Sequence, residues 1–154
     1  MLKNLALGDV FGISTNSGIG FIQFVSDTED NCELIRVLIG LYESYEDISE
    51  EIIKQKERYF LHFPLRSAFK KKLIHYIGNY NIPQNVIIPR YFRSQTVHPK
   101  TNSTSWYIFE EDICKMKHIE VLSNEIIALS DWSVWNDTLL KERLEQNWAL
   151  EDWR

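Results

Sequence analysis

Cysteine is nearly absent: Cys32 and Cys114 are the only two in 154 residues, and they lack Cys-x-x-Cys spacing. This excludes a disulfide framework and a zinc- or redox-type pair as the basis of the fold, and leaves one bridge between them open. Proline and glycine are scarce, at four and six residues, which argues against a long disordered linker. No apolar run approaches the roughly 18 residues of a membrane span. The opening "MLKNLALGDVFGIS" is broken by Asn4 and Asp9, and no small-residue cleavage site follows, so it does not read as a signal peptide. Cytoplasmic residence is the expectation.

Aromatic residues, by contrast, are abundant: eight Phe, seven Tyr and five Trp, within an apolar content of 44%. A chain of this length can bury about 68–70% of its unfolded surface, so it needs no metal or disulfide to hold together. We read 1–154 as one domain, β-rich in its N-terminal part, with helical elaborations and a C-terminal helix.

Charge is uneven. Residues 27–51 hold nine acids (Asp27, Glu29, Asp30, Glu33, Glu43, Glu46, Asp47, Glu50 and Glu51) against Arg36 alone. Seven more acids at 121–154 face Lys141, Arg143 and Arg154. Arg66 and Lys70–Lys72 form a compact basic patch that reads as solvated surface. The acidic segments repel nucleic acid and attract a basic protein.

Short aromatic and β-branched runs at Val10–Ser14 and Ile19–Ser26 are divided by the turn "TNSG", and Glu33–Ile39 reads as a third strand. Their adjacent apolar positions imply that both faces meet protein. Asp47 and Glu50 resemble a capping box, with Ile48, Ile52, Gln55 and Tyr59 at helical spacing. "YFLHFPL" reads as a strand ending at Pro64. A helix follows, with Leu65, Phe69, Leu73 and Ile77 as its stripe and Gly78 as its stop. Residues 79–105, with prolines at 83, 89 and 99, read as a folded loop with at most short strands. "WYIFEE" (106–111) and "HIEVL" (118–122) read as strands and Asn124–Ser130 as a short helix. Asn136 or Asp137 caps a last helix carrying Leu140, Leu144 and Trp148. The expected fold is α+β: a strongly bent antiparallel sheet or SH3-like partial barrel with peripheral helices.

No motif specifies catalysis. "SGIGFIQFV" continues as a strand, so Gly18 and Gly20 neither open a phosphate-binding helix nor precede a Lys-Ser/Thr pair. Gly12 and Gly20 fit a bend or close approach within a coiled sheet. The histidines at 62, 75, 98 and 118 show no compact metal pattern, and Cys114, near Lys115, Lys117 and His118, reads as uncatalytic. Trp135 and Trp148 are placed to seat the last helix on the sheet, with Trp132 and Trp153 as a surface pair.

The pieces "GDVFGISTNSGIGFIQFV", "YFLHFPLRSAF", "IPQNVIIPRYFR", "WYIF" and "WNDTLLKERLEQNW" resemble the immunity protein 26 family of bacterial polymorphic-toxin systems. Gly8, Asp9 and Phe11 match that family's opening Gly-Asp-x-Phe strand, and Gly20 with Gln23 its Gly-x-x-Gln strand. Trp135, Asn136, Asp137, Leu139, Leu140 and Arg143 match its C-terminal segment. Residues 27–57 have no counterpart in it. The resemblance implies a scaffold built by these residues, and cytoplasmic protection by binding a cognate toxin. Some relatives carry labels suggesting phosphotriester hydrolysis.

The resulting expectation is a binding protein, not an enzyme, that neutralises a cognate, basic toxin by stoichiometric inhibition. It involves no cofactor, metal, nucleic acid or membrane. Asp27, Glu29, Asp30 and Glu33, with Trp132, are the interface candidates. The alternatives are a hydrolase of phosphotriester-like substrates, with His62, His98 or His118 drawn together by a metal, and a general SH3-like binding module. Nucleic-acid binding by such a module needs Arg66, Lys70–Lys72, Arg90 and Arg93 on one positive face.

Overall fold

In the computed structural model, which describes residues 4–28 and 32–154, the chain is α+β, with most of its regular structure in two antiparallel sheets. The first sheet contains β1 (Asp9–Thr15), β2 (Gly18–Asp27), β3 (Glu33–Val37), β4 (Tyr59–Phe63) and β5 (His75–Asn79), in the order β4-β3-β2-β1-β5. The second contains β6 (Tyr91–Val97), β7 (Thr104–Glu110) and β8 (Lys115–Ile119). Four short α-helices among the described residues decorate them: α1 (Glu50–Lys54), α2 (Leu65–Lys70), α3 (Asn124–Ile127) and α4 (Asp137–Glu145). The sheets do not close into a barrel.

Both faces of the first sheet are covered, as the uninterrupted apolar runs require. Phe11, Ile13, Ile22, Phe24, Ile35 and Leu61 pack with Leu65 and Ala68 of α2 and with Leu140 and Leu144 of α4. Val10, Ile19 and Phe21 pack on the other face with Leu38 and with Ile52 and Ile53 of α1. Gly20 lies beneath α4: a Cβ there would meet Leu144 Cδ1 at 2.8 Å. Close approach, not phosphate binding, explains this glycine.

Several boundaries differ from the sequence reading. The helix beginning at Leu65 stops at Lys70, and Leu73 and Ile77 lie outside it. Residues 75–79 instead pair with β1, where Gly78 stands opposite Val10. This satisfies backbone groups along a sheet edge that a longer helix would leave open. Ser49 caps α1 by accepting from the Ile52 N–H at 3.3 Å. Asp47 serves the preceding 3-10 turn, accepting from Ser44 N–H at 3.0 Å, and Gln55 and Tyr59 lie beyond α1. The span 79–105 holds a seven-residue strand, β6, because Pro83 and Pro89 precede it and Pro99 follows it. Strand β8 begins at Lys115, three residues before its expected start.

The segment 130–135 joins the two sheets. Arg93 N–H donates to Ser130 O and Trp132 N–H to Arg93 O, each at 2.9 Å. Trp135 N–H reaches His62 O at 3.1 Å. Parallel bridges His62–Val134 and Arg93–Asp131 result, so this segment lies between the edges β4 and β6. Val25, Leu34 and Phe92 form the apolar filling of this seam, with Trp132 against them.

Candidate functional site

The seam opens into a cleft. An outer compartment of about 350 Å³ is lined by Asp27 and Thr28 at the end of β2, Ile88 and Pro89 before β6, and Glu111, Asp112 and Cys114 after β7. Trp132 forms a wall. An inner compartment of about 150 Å³ shares Thr28, Glu111 and Trp132 and adds Cys32, His62, Ser133 and Val134.

Packing fixes the Trp132 indole. It stacks on Phe109 at 3.6 Å between ring centroids and meets His62 and Phe92 edge-on at 4.9 and 5.6 Å. His62 is buried, with Nε2 3.1 Å from Glu111 Oε1 and Nδ1 without a hydrogen-bond partner among the described residues. At the mouth, the Asp27 and Asp112 side chains are 61% and 65% exposed. Asp27 pairs with Arg66 at 3.3 Å and Asp112 with Arg90 at 3.2 Å. The site thus offers two exposed carboxylates, each shared with an arginine, a half-buried carboxylate and a rigid aromatic face. That combination suits a cationic side chain with an apolar stem.

Of the expected interface residues, Asp27 and Trp132 meet at this cleft. Glu33 does not join them. It is 2% exposed, and its carboxylate accepts from Leu65 N–H at 2.9 Å and from Arg66 at 2.5 Å. It therefore presents no charge to a partner. Glu29 and Asp30 lie outside the described residues. Arg36 also turns inward, donating to the Ile53 and Gln55 carbonyls, so it does not offset the acids outside. Burial lowers the Arg36 pKa, an effect that Glu57, 3.8 Å away, opposes.

The matched motif residues build the scaffold. Gly8 holds φ +92° beside Tyr80, and Gln23 Nε2 donates to the Gly8 and Tyr80 carbonyls at 3.3 and 3.1 Å. Buried Asp9 accepts from Ala6 N–H and Asn79 Nδ2, both at 2.9 Å. Phe11 is fully buried, in edge contact with Phe69 and Tyr76. Trp135 Nε1 donates to Asp131 at 3.0 Å, and Asn136 caps α4 by accepting from Leu139 N–H at 2.8 Å. Asp137 pairs with Lys141 at 3.7 Å. Leu139 and Leu140 face the core, and Arg143 lies 5.2 Å over the Trp148 ring.

Trp135 and Trp148 are buried, as seating the last helix requires. Trp132 and Trp153 are not a surface pair: both are half-buried and engaged by other rings. Trp153 packs on Trp106 at 4.9 Å and under the Arg93 guanidinium at 4.3 Å.

The arginines required for a nucleic-acid face do not form one free positive surface, although Arg66 and Arg90 both stand at the cleft mouth. Arg93 is fully buried and binds the carbonyls of Leu129, Leu150 and Trp153. Burial lowers its pKa to about 10, against the opposing fields of Asp131 and Glu151. Arg66 and Arg90 are committed to ion pairs with acids. The histidines stand apart too: His62 at the seam, His75 on β5, His98 beyond β6 and His118 on β8. Among the described residues, no group of three or more His, Cys, Asp or Glu could hold a metal ion. Cys32 and Cys114 line different compartments, and no disulfide joins them.

Sequence reasoning missed Glu111 and Asp112, although the acidic run "EED" at the end of β7 was a usable signal. No helix among the described residues is long and apolar enough to cross a membrane. Compared with protein-family models, curated proteins and solved structures, the chain matches none.

Proposed function

We propose that this protein is an immunity protein that binds and neutralises a basic toxin stoichiometrically, in the cytoplasm of the cell it protects. The observation that carries the reading is the convergence of Asp27, Glu111, Asp112 and Trp132 on one open cleft from segments far apart in the chain. Exposed carboxylates steer a basic partner toward the cleft, and the fixed indole gives its side chain an apolar surface to desolvate against. The resemblance to the immunity protein 26 family supports the same reading, through scaffold residues that leave the binding surface free to vary. The bulged β2 at the centre of the five-stranded sheet is the feature that fits an SH3-like core for this binder.

Co-expression with the toxin domain encoded beside it tests the proposal. The expected result is rescued growth and a one-to-one complex on size-exclusion chromatography with light scattering. Failure to bind or rescue against every co-encoded toxin would overturn it.

The hydrolase alternative draws on a separate observation, the His62–Glu111 pair beside Cys32 in the inner compartment. Turnover of a chromogenic phosphotriester, lost in His62→Ala, would favour it over immunity.

A further inference from the structure

A helix ending in a left-handed residue usually places glycine there, whereas α2 places Lys72. Leu73 N–H donates to Ala68 O at 2.9 Å and Lys72 N–H to Phe69 O at 3.0 Å, the pair of bonds that closes a Schellman motif. Lys72 holds φ +61°, a conformation that glycine adopts without steric cost and lysine does not. The motif needs no side chain at this position. The lysine has a location of its own: it lines an open cavity of about 570 Å³.

Residues from distant parts of the chain complete that cavity. Lys141 of α4 lines it, held at 3.7 Å from Asp137. Tyr45 and His75 stack at 4.3 Å with 27° between ring planes, and Phe69 and Tyr76 add two more aromatic walls. The walls are fixed by packing. Phe69 and Tyr76 both rest edge-on against Phe11, at 5.5 and 5.7 Å. Tyr45 lies on Gly12, where a Cβ would come within 2.6 Å of its ring. Among the described residues no carboxylate lines the cavity itself, Asp137 reaching it only through Lys141, although the chain carries a net charge of −5.

We propose that this cavity binds a small aromatic anion: a planar ring bearing a carboxylate or phosphate, with the ring against the aromatic walls and the charge between Lys72 and Lys141. The volume is in the range of small-ligand sites, and the two lysines give the lining charge of one sign beside the neutral polar groups of Ser14, Tyr45, His75 and Tyr76. Lys72 is one of four non-glycine residues with positive φ among the described residues, and a binding role would account for a lysine where glycine is less strained. This proposal is independent of the toxin cleft.

Calorimetric titration with phenyl phosphate, benzoate, inorganic phosphate and phenol tests it. Saturable binding is expected for at least one aromatic anion, with inorganic phosphate, which lacks the ring contacts, and phenol, which lacks the charge-assisted contact, at least about tenfold weaker. The tighter of phenyl phosphate and benzoate identifies the anionic group. Lys72→Gly should raise Tm by about 2–4 °C while weakening binding about tenfold. Lys141→Met should weaken binding without raising Tm, and Asp27→Lys, in the toxin cleft, should leave it unchanged. Absence of saturable binding by either aromatic anion, equal binding of inorganic phosphate, or full affinity in Lys72→Gly overturns the proposal.

Discussion

Glu33 caps a helix to which it does not belong. From β3 its Oε2 accepts the Leu65 N–H at 2.9 Å, at the start of α2, where the N-cap Pro64 provides no side-chain acceptor. Its other oxygen takes the Arg66 guanidinium at 2.5 Å. One carboxylate thus ties a strand to the first turn of a helix and satisfies a buried donor.

Glu33→Ala should therefore destabilise the fold by about 1–3 kcal/mol, the cost of a lost cap plus a buried donor left without its acceptor. Glu33→Gln keeps an amide oxygen for the Leu65 N–H and should lose less. Urea unfolding at neutral pH measures both. A Glu33→Ala variant within about 0.5 kcal/mol of wild type, the range of ordinary surface substitutions, would show that the cap carries no weight.

The second prediction concerns the contact between β2 and α4. Gly20→Ala places a methyl group 2.8 Å from Leu144 Cδ1, so the leucine or the helix must move, at a cost of about 1–3 kcal/mol. Leu144→Val creates space of its own and should destabilise the native protein. Combined, the two changes should cost less than their sum, because the smaller side chain accommodates the new methyl. Strict additivity in a double-mutant cycle would refute steric coupling at this contact.

The β1–β2 hairpin is legible in the sequence because its apolar runs are divided by "TNSG", whose Gly18 takes φ +135°. The last helix is equally legible, from a capping Asn136 ahead of Leu140 and Leu144. Strand β5 is not. Leu65, Phe69, Leu73 and Ile77 recur every four residues and imitate a helical stripe. The helix ends through a left-handed Lys72 that no residue preference announces. Strand β6 is hidden for a different reason: beside Phe92, the residue it buries completely is Arg93. A core arginine that binds carbonyls gives no hydrophobic period. Asp27 and Trp132 stand out as an exposed acid and a spare aromatic, but their meeting depends on the seam made by 130–135. Glu33 counted as surface charge because composition cannot tell a cap from an exposed acid.

Tyr59 supplies the third prediction. Its ring packs on Trp135 and Trp148 at 5.5 and 5.4 Å, and its hydroxyl is buried with no hydrogen-bond partner among the described residues. Burial pushes its pKa up to about 12, despite the opposing fields of Arg58 and Arg143. With a folded pKa above the unfolded value of about 10, the stability tied to the neutral phenol is fully present below pH 10. It is lost as pH rises toward 12, by about 2–3 kcal/mol for a shift of this size. Arg93, lowered by burial, changes stability in the opposite sense over the same alkaline range, so the comparison must be with Tyr59→Phe. At pH 7 Tyr59→Phe should match or exceed wild type by up to about 1 kcal/mol, because an unsatisfied hydroxyl is removed. Between pH 10 and 12 its advantage should widen. Parallel stability curves over that range would contradict the assignment.

The last prediction separates the cleft from the acidic surface in general. If Asp27 and Asp112 steer a basic toxin, reversing both to lysine should slow association about tenfold or more at low salt. The difference should shrink as ionic strength rises, because exposed charges are screened within about 8 Å at physiological salt. Glu46→Lys provides the control: this acid is exposed and belongs to the same acidic segment, but it lies outside the cleft lining. Stopped-flow association with the co-encoded toxin, over a salt series, reads all three proteins. Trp132→Phe keeps an aromatic ring near Phe109 and should act mainly on dissociation, since most interface contacts set residence time. Equal slowing per reversed charge, on a logarithmic scale, by Glu46→Lys and by reversal of Asp27 and Asp112 would mean that net charge, not the cleft, guides the encounter. No slowing in either would remove electrostatic steering from the mechanism.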